Sequence, residues 1–315
     1  QADTWGAALL MAQEQGVTIG GLVEDMARMY DKSQKEAEMD VPVQKDVWHI
    51  ERDGGQVLRD LERAAFRATR WVIKLEKQLL KQWDETLFDE EYVLAVAKEE
   101  RRYDQHATFS EWLSHLYDAF ELVDWRSGEI RDREINQWLL EETLTAMSDI
   151  DHPGVQKWVK TLRRHPSQLL TSLDWLAASL QPYRQQLAET VSVEQQEAFI
   201  RIVARHWRLQ QALINGHSSF RQQAEDANAA LESLVATNAQ RQRMAEELLS
   251  LLDAACRTSS MMEGVNKLLK QFLHNHQAFR TPETLQLYLN LFVLWHNMRV
   301  FERGKLQGKG PYQLA

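Results

Sequence analysis

Apolar positions follow a helical period over most of the chain. Val57, Leu61, Ala65, Ala68 and Val72 recur at intervals of three and four residues, which predicts one long amphipathic helix from residue 50 onward. Similar spacing predicts helices over 4–15, 26–39, 89–121, 129–148, 153–164, 168–189, 194–213, 219–255 and 283–302. The protein is therefore expected to be mainly α-helical.

Two short apolar segments near the start of the chain do not fit this period. Residues 20–23 run into Glu24 and Asp25, and residues 41–44 shortly precede Asp46. This pattern is typical of buried strands that deliver a carboxylate at their C-terminal ends. Alternation of these strands with helices indicates an α/β sheet, whose earlier strands are expected upstream.

The composition is that of a globular helical protein. Hydrophobic residues make up 44% and charged residues 26%, while 13 glycines and 6 prolines are few for 315 residues. No run approaches the roughly 18 apolar residues that a membrane span needs, and residues 1–20 lack the pattern of a signal peptide. The single cysteine, Cys256, excludes an internal disulfide framework and agrees with a reducing compartment.

The charge balance bears on nucleic-acid binding. A net charge of −9 argues against a general nucleic-acid binder, but residues 257–309 hold eight Lys or Arg against three Asp or Glu. Any DNA surface is expected to involve that end, the alternative being an ordinary solvated helix face. Arg201, Arg205 and Arg208 stand at helical spacing and could form a second basic face, with the same alternative.

Three acidic residues and one histidine are candidates for chemistry. Asp25 could ligate Mg²⁺ at the end of its strand, or it could cap the following helix. Asp46 and His49 form a D-x-x-H one turn apart, which could face one site or could be a helix-start Asp with a half-buried His. Glu263 follows Ser260 in a pattern that fits a capping box, yet Lys267 and Lys270 nearby would suit phosphate.

Other chemical signatures are few. The sequence has no Walker loop, H-E-x-x-H, G-x-S-x-G or Rossmann fingerprint. The 11 tryptophans, among them Trp71, Trp112 and Trp138, are expected to serve the core rather than to stack on bases.

Several segments together resemble a known family. These are ADTWGAALL at 2–10, the strand ending in Asp25, DVWHI at 46–50, LERAA at 61–65 and RTSSMMEGVNKLL at 257–269, which looks like an SS-x-x-E-x-x-N-x-x-L segment. The segments WHNMR at 295–299, RGK at 303–305 and GKGPY at 308–312 resemble a basic C-terminal signature. The chain thus resembles bacterial insertion-sequence transposases with a DDE catalytic site, although residues 85–255 carry no matching motif.

The resemblance implies a partial RNase H-like α/β core with two remaining strands and a large all-helical insertion. The expected domains are residues 1–84 with the second acidic residue, 85–255 as the insertion, and 256–315 with the final Glu and a basic tail. Asp25 and Glu263 would be the second and third acidic residues and would ligate Mg²⁺ or Mn²⁺, two ions in the intact site. Asp46 and His49 would be the family's C/D-x-x-H element.

The resemblance also implies partners and a location. DNA, both transposon ends and target, would be bound through phosphate contacts by a set of basic residues. These are Lys267, Lys270, Arg299, Arg303, Lys305 and Lys309. A homodimer without membrane contact is expected in the bacterial cytoplasm, associated with the nucleoid when DNA is bound. The first Asp would lie upstream of residue 2, so the present chain alone is expected to be inactive.

Two other functions remain open at this stage. A non-catalytic, transposase-derived helical module that binds DNA or protein fits the acidic net charge and the missing first Asp. Clustered carboxylates that repel one another argue against it. A helical metal-dependent phosphohydrolase lacks an adjacent His-Asp pair of the needed kind.

Overall fold

The computed structural model describes residues 2–82, 90–236, 238–255, 268–273, 281–300 and 308. Most of these residues are helical and few lie in strands, which confirms the prediction of a mainly α protein. The chain forms two compact units, Gln1–Thr258 and Ser259–Ala315. No helix among the described residues combines the length and the apolar character needed to cross a lipid bilayer.

The first unit contains two strands and ten α-helices within its described residues. In chain order they are α1 (Ala2–Glu14), β1 (Leu22–Glu24), α2 (Arg28–Glu36), β2 (Val43–Lys45), α3 (Val47–Gln82), α4 (Glu90–Ala119), α5 (Arg133–Ser148), α6 (Pro153–Leu162), α7 (Thr171–Ala188), α8 (Val193–Ile214), α9 (Arg221–Val235) and α10 (Ala239–Ala254). Short 3₁₀ turns precede α7 at Pro166–Leu169 and α9 at Ser218–Phe220. In the second unit, residues 268–273 are helical and α11 spans Pro282–Met298.

One predicted helix is wrong. The segment 219–255 is divided into α9 and α10 because Asn238 caps the start of α10, its side chain accepting the backbone N–H groups of Gln240 and Arg241 at 2.9 and 3.1 Å. Asparagine is among the strongest N-cap residues, so a helix can restart there without glycine or proline. The absence of those two residues was therefore not evidence for a single helix.

Helix α3 belongs to two packed clusters. Its first half contributes Val47, Ile50 and Leu61 to the main core, which it shares with helices α4 to α8 and α10. Its second half packs against α4 through a small separate cluster around Val72 and Leu75. The 36-residue helix is about 54 Å long. The domain boundaries at residues 84 and 255 stay predictions.

Two adjacent glycines in α3 have opposite surroundings, which gives a matched prediction. A Cβ at Gly54 would lie 2.8 Å from Leu113 Cδ1 and 2.8 Å from Trp158 Cζ2, whereas one at Gly55 would meet only Arg59 Nη1 at 3.6 Å. Overpacking costs about 1–3 kcal/mol, while Gly→Ala in an open helix position gains about 0.5–1 kcal/mol. Gly54→Ala should lower, and Gly55→Ala raise, the free energy of unfolding measured in urea. If both substitutions changed the free energy of unfolding equally, the close packing of Gly54 against Leu113 of α4 and Trp158 of α6 would be contradicted.

Candidate functional site

The two strands bring Asp25 and Asp46 to one edge of the sheet. β1 and β2 are parallel, with Leu22 opposite Val43 and Glu24 opposite Lys45. The backbone N–H of Asp46 continues the ladder by donating to the carbonyl oxygen of Glu24 at 2.7 Å. Both strands therefore end together just before an aspartate, as the sequence pattern predicted, although each begins two residues later and ends one residue later than the predicted segment.

Asp25 begins the turn that leads into α2. Its Oδ1 accepts the backbone N–H of Ala27 at 2.7 Å, and Ala27 itself occupies the N-cap position of α2. Asp25 therefore does not cap that helix, which was the structural alternative at this position. Its half-buried carboxylate stands at the carboxyl edge of the sheet.

Asp46 caps α3 and lies beside His49. Its Oδ1 accepts the backbone N–H groups of Trp48 at 2.9 Å and His49 at 3.4 Å, which is N-cap geometry. Its Oδ2 lies 3.1 Å from Nδ1 of His49, and the Asp46 side chain is fully buried. The D-x-x-H motif therefore has the helix-start role and also places the imidazole beside the buried Asp46 carboxylate.

An aromatic and a cationic side chain extend the same edge. The indole of Trp48 meets the ring of His49 edge-on at 5.0 Å, and the guanidinium of Arg52 lies 5.1 Å from the Trp48 ring centroid. Trp48 is 39% exposed. The first two turns of α3 thus present a polar and aromatic surface beside Asp46.

A buried ion network fixes the two strands behind this edge. Lys45 has no exposed surface, and its Nζ donates to Glu24 Oε1 at 2.6 Å and to Asp31 Oδ1 at 2.9 Å. Gln34 of α2 donates to Glu24 Oε2 at 2.8 Å, and His165 lies 3.6 Å from Asp31. Strand alternation places Glu24 and Lys45 on the face that α2 covers.

Burial and nearby charge govern the ionisation of this network. Burial raises the pKa of Glu24, and its ion pair with Lys45 only partly opposes that rise. Burial also lowers the pKa of His165, helped by the positive charge of Lys45 and opposed by Asp31. The pKa of Tyr30 is raised by burial and by the neighbouring carboxylates of Asp25 and Glu24. Tyr30 therefore belongs to the surroundings of Asp25.

The start of α7 supports β2 from its other side. The fully buried Gln44 donates to the carbonyl oxygen of Leu169 at 3.0 Å and accepts the N–H of Ser172 at 2.7 Å. Thr171 donates to the carbonyl oxygen of Val43 at 2.7 Å. These bonds join residues more than 120 positions apart, so the sheet edge is positioned by the helical part of the chain.

The remaining predicted site residues divide into two groups. Lys270 and Arg299 are in the second unit, where Lys270 is exposed and the Arg299 guanidinium lies 5.5 Å from the Trp295 ring centroid. The others lie outside the described residues: Glu263, Lys267, Arg303, Lys305 and Lys309. Within the part of the chain that the structure describes, no three His, Cys, Asp or Glu side chains form a metal-binding group.

The arginines of α8 bind other parts of the protein instead of forming a basic face. Arg201 pairs with Glu129 at 2.6 Å and Arg208 with Glu121 at 2.8 Å, while Arg205 donates to the carbonyl oxygen of Trp125 at 3.3 Å. They tie α8 to the loop between α4 and α5, and carboxylates of that loop balance the charges of Arg201 and Arg208.

The tryptophans are not all core residues. Trp71 is 41% and Trp138 63% exposed, which makes the core prediction wrong for both. Trp158 and Trp207 are buried, and Trp112 packs partly against the main core. Residue count alone did not indicate which tryptophans face solvent.

A scan of family models found none that matches the chain, and searches of curated proteins and of solved structures found no match either. The interpretation of the site therefore depends on its own residues and geometry.

Proposed function

We propose that this chain is the catalytic region of a DDE-type DNA transposase, in which an RNase H-like core carries a large helical insertion. The observation that carries the proposal is the parallel β1–α2–β2 unit, whose strands end side by side at Asp25 and Asp46. In parallel α/β sheets, ligands bind beyond the carboxyl ends of the strands. The order of strand, Asp, helix, strand and D-x-x-H is that of the resembled family.

The donor chemistry at this edge suits a divalent metal at Asp25. Carboxylate oxygens are the hard ligands that Mg²⁺ and Mn²⁺ prefer. Oδ1 of Asp46 accepts two backbone N–H groups of α3 and its side chain is fully buried, whereas Asp25 is half-buried, so Asp25 is the better ligand of the two. Asp25 would be one ligand of the Mg²⁺ or Mn²⁺ ions, which when bound activate a water or 3′-hydroxyl and stabilise the leaving oxygen.

The neighbouring residues would position the DNA. The imidazole of His49, which lies beside Asp46 at the strand ends, would orient the DNA strand to be cut. The exposed ring of Trp48 would contact the same strand by stacking on a base. Transposon ends and target DNA are the proposed partners, and a homodimer is the expected assembly.

The test is divalent-dependent cleavage by the protein at its full natural length. Supercoiled plasmid should be nicked, or joined to a labelled duplex, with Mg²⁺ or Mn²⁺ but not with excess EDTA. The alternative is a non-catalytic DNA- or protein-binding module. DNA binding without cleavage or joining in either metal would overturn the catalytic proposal in favour of that alternative.

A further inference from the structure

The second half of α3 carries a continuous row of cations. They recur at intervals of four and three residues, which keeps them on one face of a helix. We call this row the basic stripe: Arg63, Arg67, Arg70, Lys74, Lys77 and Lys81. It spans 18 helical rises, or about 27 Å.

The stripe lies on the side of α3 opposite its buried face. All six side chains are exposed, while Ala65, Ala68, Val72 and Leu75 are buried on the far side. The one acidic residue between Arg63 and Lys81 is Glu76, whose carboxylate accepts a hydrogen bond from Tyr92 of α4 at 3.2 Å. The stripe is therefore uniformly positive.

Most of this charge has no carboxylate partner among the residues that the structure describes. Arg63 lies 3.3 Å from Asp60, in a pair more than half exposed at both ends. Among the described residues, no carboxylate lies within 4 Å of the other five cations. The ammonium of Lys74 sits 4.7 Å from the ring centroid of Trp71, which is itself 41% exposed. A chain of net charge −9 thus concentrates positive charge on one helix.

We infer that the basic stripe binds the phosphate backbone of duplex DNA. Duplex DNA carries about one negative charge per 1.7 Å of axis and turns once in about 34 Å, so a 27 Å row of cations matches most of one turn. The choice of DNA as the polyanion rests on the proposed function. The stripe begins about 25 Å along α3 from Asp46, so DNA lying along this helix would lead toward the candidate site.

The arrangement of apolar groups argues against a membrane surface as the partner. A helix that lies on a bilayer buries its apolar face in the lipid, with cations on the polar face. The apolar face of α3 is already covered by α4 and the core. The exposed Phe66, Ile73 and Leu80 form only a narrow row beside the stripe.

The experiment measures the affinity of the full-length protein for a random-sequence duplex at several salt concentrations. The test variant is Arg70→Gln/Lys74→Gln/Lys77→Gln. The control is Lys157→Gln/Lys160→Gln/Arg221→Gln, which removes the same charge from exposed positions on α6 and α9. Glutamine is a good helix former, and these positions face solvent, so circular dichroism should show unchanged folding in both.

The stripe variant should bind DNA at least about tenfold more weakly than wild type. The slope of log affinity against log salt should become shallower by about 0.9 for each phosphate that the protein no longer neutralises, hence by roughly 3. The control should keep the wild-type slope. An equal reduction of affinity in both variants, or an unchanged affinity in the stripe variant, would overturn the inference.

Two further readouts separate the possible failures. If the stripe variant binds vesicles containing phosphatidylserine more weakly than the wild type but binds DNA equally well, the partner of the stripe is a membrane surface and the inference of DNA binding is overturned. Strand cleavage is scored separately. If the wild type does not cleave DNA but its DNA affinity depends on the stripe, the proposed function fails while the inference about the stripe holds. If the stripe variant cleaves and binds DNA as the wild type does, the inference about the stripe fails while the proposed function holds.

Discussion

Replacing Asp25 with asparagine should lower divalent-dependent DNA cleavage by at least about a hundredfold. An amide is neutral and a poor Mg²⁺ ligand, and metal stabilisation of the transition state is worth several kcal/mol, each 1.4 kcal/mol being a factor of ten. The asparagine carbonyl can still accept the N–H of Ala27, so the turn should be preserved. Cleavage rates under single-turnover conditions, compared at saturating Mg²⁺ and Mn²⁺, measure the loss.

Asp40→Asn is the matched control. Asp40 is exposed and precedes β2, at the opposite end of the strand from Asp46, and the substitution changes charge and size in the same way. It should leave cleavage within about twofold of wild type, since surface substitutions of this kind have small effects. If Asp25→Asn cleaves as fast as Asp40→Asn, Asp25 has no role in the chemistry.

Replacing the buried Lys45 with methionine should lower the free energy of unfolding by about 3–5 kcal/mol. The change leaves Glu24 buried without its cation, and breaking one partner of a buried pair is strongly destabilising. Urea unfolding at constant pH measures the loss. Lys35→Met, the same change at an exposed position on α2, should stay within about 0.5 kcal/mol of wild type.

The loss caused by Lys45→Met should depend on pH with a definite sign. A carboxyl whose pKa is raised in the folded state contributes stability below its unfolded pKa and loses it as pH rises through the folded value. Burial already raises the pKa of Glu24 above 4.5, and removing Lys45 raises it further. The deficit should therefore be larger at about pH 8 than at about pH 5. Adding Glu24→Gln to Lys45→Met should restore much of the lost free energy of unfolding and make the remaining loss less dependent on pH. If the loss caused by Lys45→Met does not depend on pH, it comes from altered packing and not from the unpaired carboxylate.

The helices were the most predictable part of this protein. Apolar residues at helical spacing report burial of one face directly, which is why the long helix through Val57 and Val72 was visible in the sequence. The strand ends at Asp25 and Asp46 were visible too, because short apolar segments that stop at an acid break the helical period. The division at Asn238 depends on which of many polar residues caps a helix, and spacing carries little information about that.

The ion pair of Lys45 and Glu24 could not be predicted from burial rules, because charged residues rarely lie fully inside a protein. Its partners are 21 residues apart and meet only through the register of β1 and β2. A signal did exist: Glu24 precedes Asp25 as Lys45 precedes Asp46, so opposite charges occupy matching places. The basic stripe was also visible in the sequence, because its cations recur at intervals of three and four residues. A search for the spacing of apolar residues alone does not detect them.

The continuity of α3 makes it a lever. From Asp46 to Lys81 the helix extends about 53 Å, so a tilt of about 3° at its first turns displaces the far end by roughly 3 Å. The close packing of Gly54 against Leu113 and Trp158 lies in the N-terminal part of α3, whereas any DNA bound by Lys77 and Lys81 would lie near its C-terminal end. The angle at which bound DNA approaches Asp25 would then be set by a few tightly packed atoms at the base of this helix.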